Sequence, residues 1–204
     1  MSDRPSVVSR ITPAVVLVFS GKRKSGKDFI TEIIQKRLGF EVCSIMRLSG
    51  PLKSQYAKEH RLDADRLLDA TSYKEHYRAD MIKWGEERRQ KDPSYFCRLA
   101  TEGMSALKPV WIISDARRKT DIEYFNSFYK EQTLLIRVQA KESVRMDRGW
   151  KFTSGVDDAE SECDLDSGIT WHMIIDNNGQ EEQLNIHLQT LIDKINNKLQ
   201  SQDS

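Results

Sequence analysis

A lysine-rich stretch bounded by two glycines is the part of the sequence with the clearest chemical meaning. Residues 21–28 read Gly-Lys-Arg-Lys-Ser-Gly-Lys-Asp and contain the G-x-x-x-x-G-K pattern of a phosphate-binding loop. The glycines let the backbone curl until successive N–H groups point at one anion, and the following helix adds the positive end of its dipole. The residues predicted to hold nucleotide phosphates are Gly21, Lys22, Arg23, Lys24, Ser25, Gly26, Lys27 and Asp28.

The predicted metal ligands are two aspartates. Asp28 stands where a Ser or Thr hydroxyl usually ligates Mg²⁺. A carboxylate can hold the ion directly or through water, although Asp28 could instead only cap the helix. Asp115 directly follows the apolar run of residues 110–114, as a Walker B carboxylate does, but an Asp at a strand end is also a common cap. We predict that both carboxylates act at Mg²⁺ and that Lys27 contacts the β- and γ-phosphates of ATP.

Arginines recur near the predicted ends of strands and helices. Phosphoryl transfer to an anionic acceptor needs such cations, because they offset charge repulsion and stabilise the transition state. Arg117 and Arg118 follow a predicted strand directly, at the edge where α/β folds bind ligands, whereas single surface arginines are more often only solvated. Arg145 and Arg148 lie one helical turn apart and are typical of a lid, although an exposed helix face would look the same. Further candidates of this kind are Lys74, Arg78, Arg89, Arg98 and Arg137.

The acidic run of residues 157–162 lies in the longest stretch without clear periodicity, residues 151–170. It could bind a second metal, pair with the arginines of a closed lid, or form a solvated loop. We favour pairing or helix capping. The four histidines and three cysteines show no ligand spacing, and the cysteines predict neither a disulfide framework nor a zinc site, which favours a reducing compartment.

Short apolar runs rich in β-branched residues alternate with segments of helical periodicity. Predicted strands cover residues 13–20, 41–48, 110–114, 134–138 and 171–175, and predicted helices cover residues 29–38, 52–60, 72–91, 119–129 and 181–199. This alternation implies right-handed βαβ units. The predicted fold class is therefore α/β, a three-layer αβα P-loop kinase fold with a central parallel sheet of about five strands. We predict one domain over residues 13–204, a disordered tail over residues 1–12 and a mobile lid around residues 141–165.

The composition excludes some classes of partner. The chain has 32 basic and 31 acidic residues, so its net charge of +1 does not favour nonspecific binding to nucleic acid. No apolar run approaches the roughly 18 residues that a membrane span requires. We therefore expect a small-molecule substrate, no nucleic-acid partner, no membrane insertion and a monomer.

Several longer motifs carry a resemblance to a known family. They are FSGKRKSGKDF at residues 19–29, RLSGPLK at 47–53, WGEE at 84–87, SDARR at 114–118 and GVDDAESEC at 155–163. With them the chain resembles animal-type phosphomevalonate kinases from about Val16 to the C-terminal helix, and Asp at position 28 is also typical of that family. The resemblance implies a nucleoside-monophosphate-kinase-like fold. It also implies transfer of the γ-phosphoryl group of ATP, with Mg²⁺, to 5-phosphomevalonate, giving ADP and 5-diphosphomevalonate in isoprenoid and sterol synthesis.

The resemblance also implies roles for individual residues. ATP would be bound by residues 21–28 together with Arg145 and Arg148. The acceptor would be bound by Lys53, Lys74, Arg78, Arg89, Arg98, Arg117, Arg118 and Arg137, and the catalytic residues would be Lys22, Lys24, Lys27, Asp28, Arg117 and Arg118. Family members have been linked to peroxisomes through a C-terminal tripeptide, but this sequence ends in Gln-Asp-Ser, so we expect a cytosolic location.

The acceptor's chemistry leads to a prediction about the mechanism. A phosphomonoester has a second pKa near 6, so its oxygen is already substantially ionised near neutral pH and needs no general base. We therefore predict that no histidine or carboxylate acts as an essential proton acceptor. The residues alone leave two alternatives open: a nucleoside monophosphate kinase or other small-molecule kinase of the same fold, and a nucleotide-dependent switch that transfers no phosphate.

Overall fold

The structure, a computed structural model, describes residues 12–68 and 72–201, without the side chains of residues 68, 72, 74 and 75. The predicted tail of residues 1–12 thus lies outside the described residues except for its last position. No helix within the described ranges is both long enough and apolar enough to cross a bilayer.

A parallel sheet forms the centre of the described part of the chain. Its strands are β1 (Val15–Ser20), β2 (Cys43–Met46), β3 (Val110–Ile113), β4 (Thr133–Gln139) and β5 (Met173–Asp176). They lie in the order β2-β3-β1-β4-β5, and each neighbouring pair is parallel. The central strand β1 is buried along its whole length, as expected for a strand covered on both faces. The predicted parallel sheet of about five strands is confirmed.

Helices connect the strands and cover both faces of the sheet. They are α1 (Lys27–Leu38), α2 (Ser49–His60), α3 (Ala64–Leu68), α4 (Ser72–Lys91), α5 (Tyr95–Ala100), α6 (Lys119–Phe128), α7 (Glu142–Asp147), α8 (Glu160–Cys163) and α9 (Glu181–Gln200), with a 3₁₀ turn over Met104–Leu107. The five predicted helices are all present, and α7 contains Arg145 and ends just before Arg148, the pair that was predicted to lie one helical turn apart. Helices α3, α5 and α8 were not predicted, because four to six residues are too few for a clear helical period.

Alternate residues of β1 pack into two separate cores. Leu17 lies with Ile34 of α1 and Leu188 of α9 on one face of the sheet. Val16 lies with Phe125 of α6 on the other face. Successive side chains of a strand point to opposite faces, so an uninterrupted apolar strand is the natural centre of a three-layer αβα arrangement. This arrangement was predicted and is confirmed.

A third cluster joins α2 and α4 beyond the edge of the sheet. Tyr56 and Met81 are buried in it, and Tyr77 and Trp84 pack against them. The aromatic stripe of α4 therefore serves packing, as its helical spacing predicts. This pair of helices forms the outer wall of the cavity described below.

Candidate active site

The phosphate-binding loop (residues 21–28) has the backbone geometry that its glycines predict. Gly26 adopts φ 89° and Lys24 adopts φ 61°, both in the left-handed region that side chains disfavour. A Cβ atom at Gly26 would lie 2.1 Å from Nδ2 of Asn177, and one at Gly21 would lie 2.6 Å from the carbonyl oxygen of Val138. Both glycines are therefore required by close packing against the loop, and Gly26 is also required by its left-handed backbone.

The loop presents charged and unpaired polar groups at the start of α1. The Lys27 side chain is 13% exposed, and its Nζ lies 3.3 Å from Oδ1 of Asp28, whose side chain is 61% exposed. The Ser25 hydroxyl is buried and has no hydrogen-bond partner among the described residues. Buried hydroxyls are normally paired, so this orphaned oxygen fits a site that is completed by a phosphate or a metal-bound water.

A cavity of about 350 Å³ lies at the carboxyl ends of β2 and β3, beside the loop. Arg23 of the loop is one of its walls, and Arg117 and Arg118 form another. Helix α2 contributes Lys53, and α4 contributes Arg78 and Arg89. Five of the eight residues predicted to bind the acceptor thus line one cavity: Lys53, Arg78, Arg89, Arg117 and Arg118.

Asp121, at the start of α6, holds three of these arginines in place. Its carboxylate is fully buried. Oδ2 accepts hydrogen bonds from the backbone N–H groups of Arg117 and Arg118, both at 3.0 Å, and Oδ1 accepts one from Nη1 of Arg89 at 2.6 Å. Burial alone lowers the pKa of Arg89, but the adjacent Asp121 carboxylate outweighs it and raises that pKa. Sequence reasoning missed Asp121, although an acidic side chain three positions into a helix is a known capping signal.

Arg117 lies where the loop and the cavity meet. Desolvation by the surrounding residues lowers the pKa of its guanidinium, although 44% of the side chain stays exposed. The negative charges of Asp115 and Asp28 act on this pKa in the opposite direction. Both predicted metal ligands are therefore within electrostatic reach of Arg117.

Asp115 caps the start of α2. Its Oδ1 accepts a hydrogen bond from the backbone N–H of Leu48 at 2.6 Å, and its Oδ2 accepts one from Ser49 at 3.1 Å. The capping role left open by the sequence is thus present. A carboxylate oxygen has two lone pairs, so each oxygen keeps acceptor capacity on the cavity wall, and the role of Asp115 at Mg²⁺ stays a prediction.

The acidic segment (residues 157–166) lies across the mouth of the site and pairs with its cations. Arg23 donates to Oδ2 of Asp157 at 2.9 Å, and Arg118 lies 3.3 Å from Glu160. Glu162 pairs with Arg117. No group of three metal-ligating side chains occurs in the described ranges. The ion pairs of Asp157, Glu160 and Glu162 agree with the pairing that we favoured for the acidic run.

The same segment also contacts the lysine at the start of the loop. Nζ of Lys22 donates to the backbone oxygen of Glu162 at 2.6 Å and to Oδ2 of Asp166 at 2.5 Å. Asp166 also accepts a hydrogen bond at 2.6 Å from Arg137, whose Nη1 donates to the Ser20 hydroxyl at 3.0 Å. Arg137 therefore lies next to Ser20, the residue before the loop, and is not among the residues that line the cavity.

Opposing effects act on the pKa of Asp157 in the acidic segment. Burial raises its pKa, but hydrogen bonds from the Trp150 indole and the Thr153 N–H, with the charges of Arg23 and Arg145, outweigh that effect. The pKa of Asp157 therefore lies below its ordinary value.

Two of the remaining predicted residues, Arg98 and Lys24, do not line the cavity, and the side chain of a third, Lys74, is not described. Arg98 pairs with Asp92 near the start of α5 and does not line the cavity among the described residues. Lys24 lies exposed at the tip of the loop. Lys74 belongs to α4, but its side chain lies outside the described part of the chain.

The predicted lid arginines contact the loop from behind, through its backbone. Nε of Arg145 donates to the carbonyl oxygen of Arg23 at 2.8 Å, while its guanidinium stacks 4.1 Å from the Trp150 ring. Nη1 of Arg148 donates to the carbonyl oxygen of Ser25 at 3.1 Å. Asn177, at the end of β5, donates to the same carbonyl. Sequence reasoning missed Asn177, and its only signal is its position after a strand at the ligand-binding edge.

The fold and the site together define a P-loop phosphotransferase: a parallel sheet, a phosphate-binding loop after its central strand and a second, arginine-lined cavity at the same edge. A sequence model described as phosphomevalonate kinase matches residues 19–131. The chain belongs to this family. The curated "Phosphomevalonate kinase" of Drosophila melanogaster is 47% identical over 154 residues, which are 74% of this chain and 81% of that protein.

A solved structure supports the fold independently. TT1252 from Thermus thermophilus superposes with a TM-score of 0.50 at 14% identity, over 90% of this chain and 98% of its own. At that identity the likeness concerns the fold alone. The predicted family and the predicted kinase class are confirmed by the family match and the close relative.

Proposed function

We propose that this protein transfers the γ-phosphoryl group of ATP to the phosphate of 5-phosphomevalonate, forming ADP and 5-diphosphomevalonate. The observation that carries the proposal is a second anion site beside the phosphate-binding loop. Six basic side chains line a cavity of about 350 Å³, and one of them, Arg23, also belongs to the loop. A nucleotide switch needs no such second site. The family membership selects the acceptor among phosphorylated small molecules.

Two polyanions would meet at Arg23. The ATP phosphates would lie against the N–H groups of the loop and the start of α1, with Lys27 at the β- and γ-phosphates. The acceptor phosphate would bind Arg117 and Arg118, whose guanidinium groups can form paired, charge-assisted hydrogen bonds with phosphate oxygens. Lys22 and Lys24 would add positive charge around the transferring group. Because Arg23 belongs to both the loop and the cavity, it would lie between the two anions and offset charge in the transition state.

The residues at the loop fit a magnesium ion. Mg²⁺ in kinase sites is usually held by one or two carboxylates, waters and the substrate phosphates. At the loop, the exposed carboxylate of Asp28 and the unpaired hydroxyl of Ser25 would hold the ion or its waters. Asp115 provides a second carboxylate on the cavity wall. When bound, the ion would neutralise negative charge that develops on the phosphates.

The mechanism proposed here needs no general base. The attacking phosphate oxygen is substantially ionised near neutral pH. Among the residues that the structure describes, no histidine lines the cavity. Two of the four histidines have clear structural contacts: His60 stacks on Tyr56, and Nδ1 of His172 accepts a hydrogen bond from the N–H of Leu135. Catalysis would therefore rest on alignment and charge.

The acidic segment offsets part of the positive charge of the site before substrates bind. Glu160 and Glu162 pair with Arg118 and Arg117, which are the groups that the acceptor phosphate needs. In each pair one partner is exposed and the other is buried, Glu160 (76% exposed) with Arg118 (8%) and Arg117 (44%) with Glu162 (6%), so the phosphate oxygens must replace the carboxylates as charged hydrogen-bond acceptors. We propose that the phosphates displace these carboxylates and that the segment around residues 141–165 rearranges as a lid.

A coupled assay of ADP formation tests the proposed reaction. The protein is incubated with Mg²⁺ and ATP, and with 5-phosphomevalonate, AMP, UMP or no acceptor. We expect turnover only with 5-phosphomevalonate. Turnover with a nucleoside monophosphate would refute the acceptor, and ATP binding without any turnover would indicate a switch.

A variant series tests the mechanism. Arg117→Ala and Arg118→Ala are compared with the alanine variants of the four histidines, with folding checked by circular dichroism. The arginine variants should be the most impaired, because like charges brought together cost several kcal/mol unless they are paired. A folded histidine variant that loses about 10³-fold, as removal of a general base does, beside near-normal arginine variants would refute the mechanism. The cytosolic location and the monomeric state stay predictions, and light scattering would measure the latter.

A further inference from the structure

Side chains from outside the phosphate-binding loop bind three consecutive carbonyl groups of the loop. Arg145 donates to the oxygen of Arg23 at 2.8 Å. Arg148 donates to the oxygens of Lys24 and Ser25, at 3.4 and 3.1 Å. Nδ2 of Asn177 also donates to the oxygen of Ser25, at 2.9 Å.

These contacts set the direction of the loop's N–H groups. In a planar trans peptide, the C=O of one residue and the N–H of the next point in opposite directions. A carbonyl that is held at the back of the loop therefore turns the following N–H toward the front. The contacts to the oxygens of Arg23 and Ser25 thus orient the N–H groups of Lys24 and Gly26, whereas the N–H of Ser25 donates to the carbonyl oxygen of Lys22 at 3.1 Å. An anion at the front of such a loop is bound by N–H groups of this kind.

Asn177 is built to make this contact. It is 6% exposed, and its backbone N–H donates to the oxygen of Gln139 at 2.8 Å, which fixes it at the end of the sheet. Nη2 of Arg148 donates to the backbone oxygen of Asn177 at 2.9 Å and to its Oδ1 at 3.3 Å. An arginine can only donate, so it selects the amide orientation in which Nδ2 faces Ser25.

We propose that Asn177 is a positioning residue for phosphoryl transfer, acting with Arg148 to hold the Ser25 carbonyl backward and the Gly26 N–H toward the nucleotide phosphates. Asn177 contacts the loop backbone, and its effect on ATP is transmitted through that backbone. Arg148, predicted as a direct ATP ligand, acts at least partly in the same way. The proposal rests on the ATP site of the proposed function and is independent of the identity of the acceptor.

Asn177→Asp is the sharpest test, because it keeps the size of the side chain but replaces the donor with an acceptor that repels the Ser25 carbonyl. A small misplacement of reacting groups costs up to about 10²-fold in rate. We expect kcat/KM for ATP to fall between about 10-fold and 10²-fold, with the KM for 5-phosphomevalonate nearly unchanged. Asn177→Ala removes the donor without adding charge and should show the same ATP-selective loss.

The neighbouring residue offers a matched control. Oδ1 of Asn178 accepts a hydrogen bond from the backbone N–H of Lys141 at 2.7 Å, and aspartate can still accept it. Asn178→Asp adds the same charge one residue away and should leave ATP kinetics near those of the wild type. Amide hydrogen exchange at residues 24–26 should become faster in Asn177→Asp and stay unchanged in Asn178→Asp.

Direct titration of each variant with Mg²⁺ and ADP, without acceptor, separates this proposal from the proposed function. ADP binding that weakens in the Asn177 variants supports the positioning role even if 5-phosphomevalonate is not the acceptor. The proposal is overturned if folded Asn177→Asp and Asn177→Ala bind ADP and use ATP as the wild type does. It is equally overturned if the Asn177 variants are impaired as much toward 5-phosphomevalonate as toward ATP. The same holds if Asn178→Asp loses as much kcat/KM for ATP as Asn177→Asp does.

Discussion

The buried carboxylate of Asp121 provides the most quantitative test of how this site is held together. It is fully buried and binds Arg89, whose side chain is 14% exposed, with Nη1 and Oδ1 separated by 2.6 Å. Asp121→Asn conserves the shape but leaves the guanidinium with a neutral partner that can face it with an N–H donor. Removing one member of a buried ion pair typically costs about 3–5 kcal/mol.

The melting temperature converts this cost into a measurable shift. Two unit charges about 4 Å apart attract each other by about 4 kcal/mol at an effective dielectric constant of about 20, which agrees with that range. For a chain of this size each kcal/mol lowers the melting temperature by about 2–4 °C, so Asp121→Asn should lower it by roughly 6–20 °C. The backbone N–H groups of Arg117 and Arg118 would also lose a charged acceptor. We therefore expect weaker binding of 5-phosphomevalonate in the variant that remains folded.

Asp92→Asn is the matched control, because Asp92 and Arg98 form an ion pair that is 36% and 42% exposed. Such pairs contribute about 0–1 kcal/mol, so the melting temperature should fall by less than about 4 °C. Thermal unfolding at neutral pH, followed by circular dichroism, compares the two variants. The double variant Arg89→Met with Asp121→Asn should recover part of the loss, since no charge is then left unpaired. Equal shifts for Asp121→Asn and Asp92→Asn would refute the buried-pair reasoning.

The loop, the lid and the acidic segment each give a further expectation. Lys27→Ala should stay folded but lose roughly 10²- to 10³-fold in kcat, as the loss of a preorganised charge does, and near-normal turnover would remove Lys27 from the mechanism. Asp28→Ser should alter the Mg²⁺ dependence and weaken activity. An unchanged response to Mg²⁺ would indicate that Asp28 only caps the helix. Residues 141–165 should gain hydrogen-exchange protection only when nucleotide and acceptor bind together. If they gain none, the segment does not act as a lid. Because the pKa of Asp157 is lowered by folding, its stabilisation is present above the unfolded value of about 3.9 and is lost as pH falls through the folded pKa. The melting temperature of the wild type should therefore exceed that of Asp157→Asn at neutral pH, and the difference should disappear below about pH 4. A difference that does not change with pH would contradict the lowered pKa of Asp157.

Local patterns in the sequence were enough to predict the layers and the loop. The apolar, β-branched run of β1 requires burial on both faces, and the glycines of residues 21–28 require a curled backbone, so both follow from neighbouring residues alone. The position of Arg117 and Arg118 after a strand was also sufficient to predict their place at the ligand-binding edge. These predictions depend on periodicity and on chain direction, which sequence records directly.

Only the tertiary structure decided which cation meets which partner. Arg89 and Arg98 flank the same Asp-Pro break, yet Arg89 turns into the cavity and binds the buried Asp121 while Arg98 pairs with Asp92 near the surface. Asn177 reaches the phosphate-binding loop from 152 positions along the chain. The direction of a long side chain depends on how its helix packs, and a contact between distant segments depends on the order of the strands. Neither quantity has a local signature, so the sequence determined the parts of the site and the packing of the fold decided their pairing.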